Sequence, residues 1–338
     1  MPALSWLYVS ICFETSCPRY GIKAPGLKNK NTLIRKRSLK RRIMKTFLIC
    51  LLIFPTCSAF AFQKAENSNV QYVSDIQAWR VQRVASLRGE NGWLNLAGLF
   101  RLQEGKNTFG SDPSNDLVFP KGAHFLGSLI LEDGVVQAEI APDVLVYQGD
   151  SAVQKKEIFS QKEEPIRLQH QSLRWFVIQR GDHYYVRLRD LESPNLTRFR
   201  SMDNFPIDKR WCVEARLEPA ATDFKLAVVD VIGTSSMQPS PGAFVFSIAG
   251  NEYRLYPTWE GEELFFVFGD DTNGDTTYGG GRFLYASKPD ADGKITLDFN
   301  KAYNPPCAFT AFATCPLPAK QNRLSLEVKA GEKNYGGH

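Results

Sequence analysis

The sequence lacks the short motifs that identify most enzyme classes, and it is poor in histidine. Its 338 residues include four histidines, and they contain no G-x-S-x-G elbow, no H-E-x-x-H pair, no P-loop and no G-x-G-x-x-G opening a helix. These absences remove the usual sequence evidence for serine hydrolases, zinc peptidases and nucleotide-binding enzymes. We therefore predict neither a cofactor nor a metal site, and leave open whether the chain is an enzyme.

Cysteine is scarce after the first sixty residues. Of seven cysteines, only Cys212, Cys307 and Cys315 follow residue 61. In an oxidising compartment Cys307 and Cys315 can form a disulfide, and two buried thiols in a proline-rich loop are the alternative. With no histidine nearby, these two cysteines are an incomplete ligand set for a metal ion.

The apolar run Phe47–Pro55 is about half as long as the roughly 20 residues that a membrane-spanning helix needs. It follows Lys45 and precedes Ala59-Phe60-Ala61, which is an A-x-A cleavage pattern. Residues 44–61 are therefore predicted to be a signal peptide, and the mature chain is expected to be secreted to the periplasm. The alternative of lipid attachment at Cys57 is disfavoured by the bulky residues before it.

The basic charge of the chain lies in its N-terminal part. The net charge is +5, but residues 1–61 hold eleven of the 41 Lys and Arg residues and one of the 36 acidic residues. The remainder has 30 basic and 35 acidic residues, a net charge of about −5, so no nucleic-acid partner is predicted. Residues 1–43 are interpreted as an over-extended start before Met44 or as a long basic n-region.

One amphipathic helix is predicted near residues 73–89. Ser74 and Gln77 form a capping box, Ile76 and Leu87 lie at helical spacing, and Gly89 can end the helix. After this helix the hydrophobic period changes to two, with turn residues between many short apolar runs. The sequence therefore predicts an all-β fold, made mainly of antiparallel sandwich-like or barrel-like sheets, with one N-terminal helix.

The predicted domain organisation follows from this change of period. Residues 62–90 are a tail and helix, residues 91–190 a β-sandwich-like segment, and residues 191–338 a second β-rich segment. One continuous body made of both β segments is the alternative. The predicted strands are Trp93–Leu102, Leu117–Phe119, Leu126–Leu131, Val135–Ile140, Val144–Tyr147, Leu173–Gln179, Tyr184–Arg189, Val213–Leu217, Phe224–Val231, Ala243–Ile248, Glu252–Tyr256, Leu264–Phe268, Arg282–Ala286, Ile295–Phe299 and Leu324–Val328.

Parts of the sequence resemble two known families. Residues 104–120 resemble the opening of forkhead-associated domains, β-sandwiches that bind phosphothreonine, but Ser111 stands where that family has an Arg. Tyr303–Phe309 and Ala313–Pro318 resemble the bacterial family catalogued as domain of unknown function 1684, and this resemblance extends from Trp93 to Lys333. The first resemblance implies a sandwich fold only. The second implies a shared fold and supplies no activity.

Residues 264–333 concentrate Gly, Asn, Asp, Pro and Cys. Three glycines before Arg282 allow close approach of the backbone, and an Arg beside Asn and Tyr can bind a carboxylate or phosphate with two hydrogen bonds. A structural pair of Arg282 with Asp298 is the alternative. The predicted ligand-binding residues are Tyr278, Arg282, Asn300, Asn304, Cys307 and Cys315.

The catalytic candidates are weaker. A calcium loop at Asp271–Arg282 is disfavoured because Arg282 occupies the position of the bidentate Glu.

Three functions remain: binding of a small polar or anionic ligand, hydrolysis of an envelope or extracellular substrate, and a structural module without a ligand. No prediction is made of oligomeric state. The catalytic candidates are Asp270, Asp271, Asp298, Cys307 and His124.

Overall fold

The computed structural model describes residues 68–336. The predicted signal peptide at residues 44–61 and the segment before it lie outside the described residues. Helix α1 covers residues 68–88, and Gly89, the residue after it, still donates its N–H to Ala85 O at 3.0 Å. The predicted start at Ser74 is wrong, because residues 68–73 include no Pro or Gly and the helix already contains them.

A second, one-turn helix interrupts the strands in the middle of the chain. Helix α2 (Pro194–Arg198) has proline in its first turn, where the missing N–H has no intrahelical partner to lose. Ser193 caps the helix by accepting a hydrogen bond from the N–H of Asn195 at 3.3 Å. No helix within residues 68–336 is long and apolar enough to span a membrane.

Strands β1 to β11 form two sheets, with orders β1-β11-β10-β9-β6-β7 and β3-β2-β4-β5-β8. Pairing is antiparallel except between β2 and β3. The strands are β1 (Leu96–Arg101), β2 (Gly105–Gly110), β3 (Leu117–Val118), β4 (Gly127–Glu132), β5 (Val135–Ile140), β6 (Tyr147–Gln148), β7 (Ser151–Ala152), β8 (Lys155–Phe159), β9 (Leu168–His170), β10 (Leu173–Arg180) and β11 (His183–Asp190).

The later strands form three smaller sheets, with orders β16-β15-β12-β20, β17-β18-β19 and β13-β14. All of these pairs are antiparallel. The strands are β12 (Cys212–Pro219), β13 (Lys225–Val229), β14 (Ser235–Pro239), β15 (Gly242–Ile248), β16 (Asn251–Leu255), β17 (Thr258–Glu260), β18 (Glu263–Phe268), β19 (Arg282–Ser287) and β20 (Lys294–Asp298). The predicted all-β fold is confirmed.

The first apolar core lies between the two sheets of residues 96–190. Alternate residues of β10 and β11 enter it, and Trp175 packs edge-on against Phe109 and Phe119, with ring centroids 5.7 and 5.8 Å apart. A second core, which includes Phe244, Phe266 and Phe299, unites β15, β18 and the residues after β20. Each core buries the apolar face of two sheets, which a single sheet cannot do alone.

Two smaller apolar clusters contain residues from both parts of the chain. Leu94 packs with Phe199 and Phe309, and Leu96 packs with Phe283 and Cys315. The strand pairs found in residues 68–336, by contrast, stay either before or after residue 190. The division into segments 91–190 and 191–338 remains a prediction.

Strand positions were predicted well where residues alternate and poorly where they do not. Val135–Ile140 has the predicted bounds, but Gly105–Gly110 and Lys155–Phe159 were missed, because neither shows a clear apolar alternation. The predicted strand Leu324–Val328 is wrong. Its backbone makes only scattered hydrogen bonds: Leu324 N donates to Gly269 O at 2.8 Å and Leu326 O accepts from Asp271 N at 3.0 Å. Val328 N donates to a side chain, Asp270 Oδ1, at 3.2 Å.

Candidate functional site

Arg282, the centre of the predicted site, is fully buried at the start of β19. Its Nη2 donates to Asp270 Oδ2 and to Val328 O, both at 2.8 Å, and its Nη1 donates to Ala330 O. Burial lowers the pKa of Arg282, and the charge of Asp270 partly offsets that shift. The expectation of an open guanidinium is therefore wrong. The side chain ties strand β19 to the returning C-terminal segment, and its carboxylate partner is Asp270 rather than Asp298.

The acidic candidates are engaged in local structure or exposed in turns. Asp270 Oδ1 accepts hydrogen bonds from the N–H and hydroxyl of Thr272. Asp298 Oδ1 accepts from the N–H of Asn300 at 3.1 Å, and Asp271 is exposed. Among the described residues, no group of three or more His, Cys, Asp or Glu side chains is arranged to hold a metal ion.

The two predicted asparagines hold backbone segments together. Asn300 binds Asp208 at both ends of its amide, accepting from the N–H at 3.0 Å and donating to the carbonyl at 2.9 Å. Asn304 donates from Nδ2 to Lys333 O at 2.7 Å. Both side chains are fully buried, so in this conformation they are not presented to a ligand.

The cysteine pair forms a disulfide, the first of the two alternatives that the sequence allowed. Cys307 and Cys315 are joined with their Cα atoms 6.1 Å apart. In this state Cys307 has no free thiol to act as a nucleophile. Tyr278 is half-buried among apolar side chains, and burial raises its pKa. His124 is 89% exposed, and its Nδ1 lies 3.6 Å from Asp112 Oδ2.

A buried ion pair that the sequence did not reveal lies beside Asn304. Arg83 of α1 donates from Nε to Glu332 Oε1 at 3.0 Å and from Nη2 to Asn304 O at 3.1 Å. The other oxygen of Glu332 accepts from the N–H of Asn304 at 2.7 Å. The guanidinium carbon also lies 4.3 Å from the ring centre of Trp93 and 4.5 Å from that of Tyr303, within cation–π range.

One feature of the sequence indicates that Arg83 is buried and has a partner. It occupies the apolar stripe of α1, seven residues after Ile76 and four before Leu87, where an arginine must find a partner if the stripe is buried. The sequence cannot show that this partner is Glu332, because the two lie 249 residues apart. The pair forms only because the segment after Val328 folds back against α1.

A groove of about 480 Å³ opens next to this ion pair. Asn204 on its wall donates from Nδ2 to Met202 O at 2.9 Å, which fixes the orientation of the amide. Its Oδ1 is buried and accepts no hydrogen bond from the part of the chain that the structure describes. The lining residues are Trp79, Arg80, Val81, Arg83, Val84, Met202, Asp203, Asn204 and Glu332.

Comparison with protein families assigns the second part of the chain. The family model described as protein of unknown function (DUF1684) matches residues 197–333. The chain belongs to this family. The match contains all six predicted ligand-binding residues and Glu332, whereas Arg83 and the rest of α1 precede it. The helical wall of the groove is thus contributed from outside the matched DUF1684 segment.

A solved structure is also similar to this DUF1684 protein in sequence. It is the solution NMR structure of an uncharacterized protein from Haloarcula marismortui, with 30% identity over 41% of this chain and 80% of that one. Its TM-score is 0.35. No curated protein matches the chain.

Proposed function

We propose that the protein binds a small polar ligand in the groove between helix α1 and residues 202–204. The observation that carries the proposal is Asn204, which lines this groove of about 480 Å³ and whose buried Oδ1 accepts no hydrogen bond from residues 68–336. Buried polar atoms are nearly always hydrogen-bonded, and ligand pockets usually measure about 300–1,000 Å³. A hydroxyl or amino group of a ligand would supply the missing donor.

The charges of the groove favour a ligand without strong net charge. Two arginines, Arg80 and Arg83, and two acidic residues, Asp203 and Glu332, line the groove, so the formal charges balance. Trp79 adds an aromatic surface against which an apolar ring or chain can pack. Sugars, polyols and amino acids combine such surfaces with hydrogen-bond donors, so these classes fit better than a free anion.

A thermal-shift screen of monosaccharides, polyols and amino acids tests this proposal. A ligand that binds only the folded state must raise the melting temperature, and it should do so less in the Asn204→Ala variant. Asn251→Ala is the matched control, because Asn251 is exposed at the first position of β16. A hit that stabilises Asn204→Ala as strongly as the wild type would place the ligand elsewhere. If no compound of any class raises the melting temperature, the proposal is contradicted.

We further propose that the chain is secreted to the periplasm after cleavage near Ala61. Support comes from the apolar run Phe47–Pro55 with its A-x-A pattern and from the disulfide, since disulfides persist mainly in oxidising compartments. N-terminal sequencing and intact mass of the protein from cell fractions provide the test. The expected product starts close to residue 62 and is found outside the cytoplasm. An uncleaved cytoplasmic chain would contradict secretion.

A further inference from the structure

Strand β11 presents arginines on the face of its sheet that points away from the first core. Val186 and Leu188 enter the core, so the alternate residues Arg187 and Arg189 lie on the opposite face. In the register of the sheet, Arg187 is directly opposite Phe176 of β10 and Leu99 of β1. On an uncovered sheet this outer face would be exposed to water.

The disulfide loop at residues 307–315 covers part of this outer face. Leu96, which is opposite Arg189 in the sheet, packs with Ala313 and Cys315. Further along the face, Arg180 Nε donates to Thr314 Oγ1 at 3.3 Å. Arg187 lies on β11 between these two contacts and is only 5% exposed.

The guanidinium of Arg187 has no partner within residues 68–336. Neither a hydrogen bond nor an ion pair reaches it, and its Nε is buried without an acceptor. Arg189 differs, because its Nη1 donates to Gly92 O and, at 2.6 Å, to Asn95 Oδ1. Arg187 also differs from the buried arginines 83 and 282, which both contact a carboxylate.

The charged groups that shift the pKa of Arg187 are positive. Burial lowers its pKa to about 9, and the charges of Arg180 and Arg189 add to that shift. A buried charge without a counter-ion strongly destabilises a folded protein. A planar guanidinium presents a fork of N–H donors that matches the oxygens of a carboxylate or a phosphate. Asp230 acts on Arg180, but among the described residues Arg187 itself has no carboxylate partner. Its donors therefore remain available to an anion.

We propose that Arg187 anchors a second binding site, for a small oxyanion, between the outer face of the β1–β11–β10 sheet and the disulfide loop. The oxyanion is either a free ion such as phosphate or the carboxylate or phosphoryl group of a larger molecule. This site shares no residue with the groove lined by Asn204 and Glu332, so each proposal can fail without the other.

Inorganic phosphate and acetate are the probes, added to the full chain while sodium chloride keeps the ionic strength constant. At a hundredfold excess over the dissociation constant, the melting temperature should rise by roughly 5 °C. A response to phosphate alone supports a phosphoryl ligand, and a response to both supports carboxylates as well. A wild-type melting temperature that neither probe changes overturns the proposal.

Variants then locate the binding. Arg187→Met should melt no lower than the wild type without phosphate, because it removes an uncompensated charge, and it should lose the response to phosphate. Arg216→Met is the matched control on an exposed strand position and should keep the full response. Equal responses in Arg187→Met and the wild type overturn the proposal. If Arg187→Met does not fold, Arg187→Lys replaces it: a several-fold weaker phosphate affinity by calorimetry supports the site, and an unchanged affinity overturns it.

Discussion

Two Arg–Asp pairs of this protein have the same chemistry and differ in burial. Arg282 and Asp270 are fully buried, whereas Arg210 and Asp208 form a contact of 2.6 Å in which the arginine side chain is 89% exposed. Removing one partner of a buried pair leaves an uncompensated charge, which typically costs about 3–5 kcal/mol. We expect Arg282→Ala to lower the free energy of unfolding by about this amount in urea titrations.

Arg210→Ala is the control for this prediction, and it should change the stability little, because exposed pairs are screened by water. A second variant separates lost charge from lost packing. Asp270→Asn should also destabilise the protein, since it leaves the Arg282 charge buried without a carboxylate. If Arg282→Ala were as harmless as Arg210→Ala, the structural role of this ion pair would be refuted.

The buried carboxyl group of Glu260 should make the free energy of unfolding depend on pH. Burial raises the pKa of Glu260 above its ordinary value of 4.5, although Tyr285 donates a hydrogen bond to its carboxylate. At pH values between the ordinary pKa and the raised pKa of the folded state, Glu260 is protonated in more of the folded molecules than of the unfolded ones. The free energy of unfolding should therefore fall as the pH rises through this interval.

Glu260→Gln should remove this part of the pH dependence. Its stability relative to the wild type, from urea titrations at several pH values, should increase from acid to neutral pH. Glu262→Gln is the control, because Glu262 is 87% exposed, and its difference from the wild type should stay nearly constant. A Glu260→Gln difference that does not change with pH would contradict the buried state of this carboxyl group.

These residues show how far the sequence predicts the site. The glycines before Arg282 single out this residue, and the small number of cysteines after residue 61 singles out Cys307 and Cys315. Their burial does not follow, because it depends on the return of residues 328–332 across strands that are distant in sequence. Asn204 Oδ1 and Arg187, which have no hydrogen-bond partner among the described residues, are also buried by long-range packing, so no local sequence pattern identifies them.

At the scale of elements, the turn before β19 depends on one glycine. Gly281 has φ +86°, and a Cβ there would lie 2.6 Å from Phe268 O and also clash with Pro318. Gly274 has φ +85° with open space around it. Both alanine variants lose about 1–2 kcal/mol through the left-handed backbone, and only Gly281→Ala meets a backbone clash as well. We expect Gly281→Ala to be the less stable variant in urea titrations, and equal stabilities would contradict the close approach.

The strands differ in how well the sequence predicted their positions. Strands such as β5 have alternating apolar residues, which specify both the strand and its buried face. The segment Leu324–Val328 has a strand-like pattern too, yet the side chains of Asp270 and Arg282 bind the N–H and the carbonyl of Val328 at its end. Such side-chain competition for backbone groups cannot be derived from periodicity. The all-β class was therefore predictable, whereas the register and the irregular C-terminal segment were not.

At the scale of the whole molecule, the two apolar cores are joined by the clusters of Leu94 and Leu96. If these clusters couple the cores, residues 74–336 unfold in one transition, and a cavity in either core lowers the melting temperature of that same transition. Leu129→Ala in the first core and Phe266→Ala in the second should each cost about 2–5 kcal/mol. Calorimetry should give one peak for the wild type and for both variants, with a calorimetric enthalpy close to the van't Hoff enthalpy. Two peaks, each shifted by only one of the substitutions, would show instead that residues 91–190 and 191–338 are independent domains.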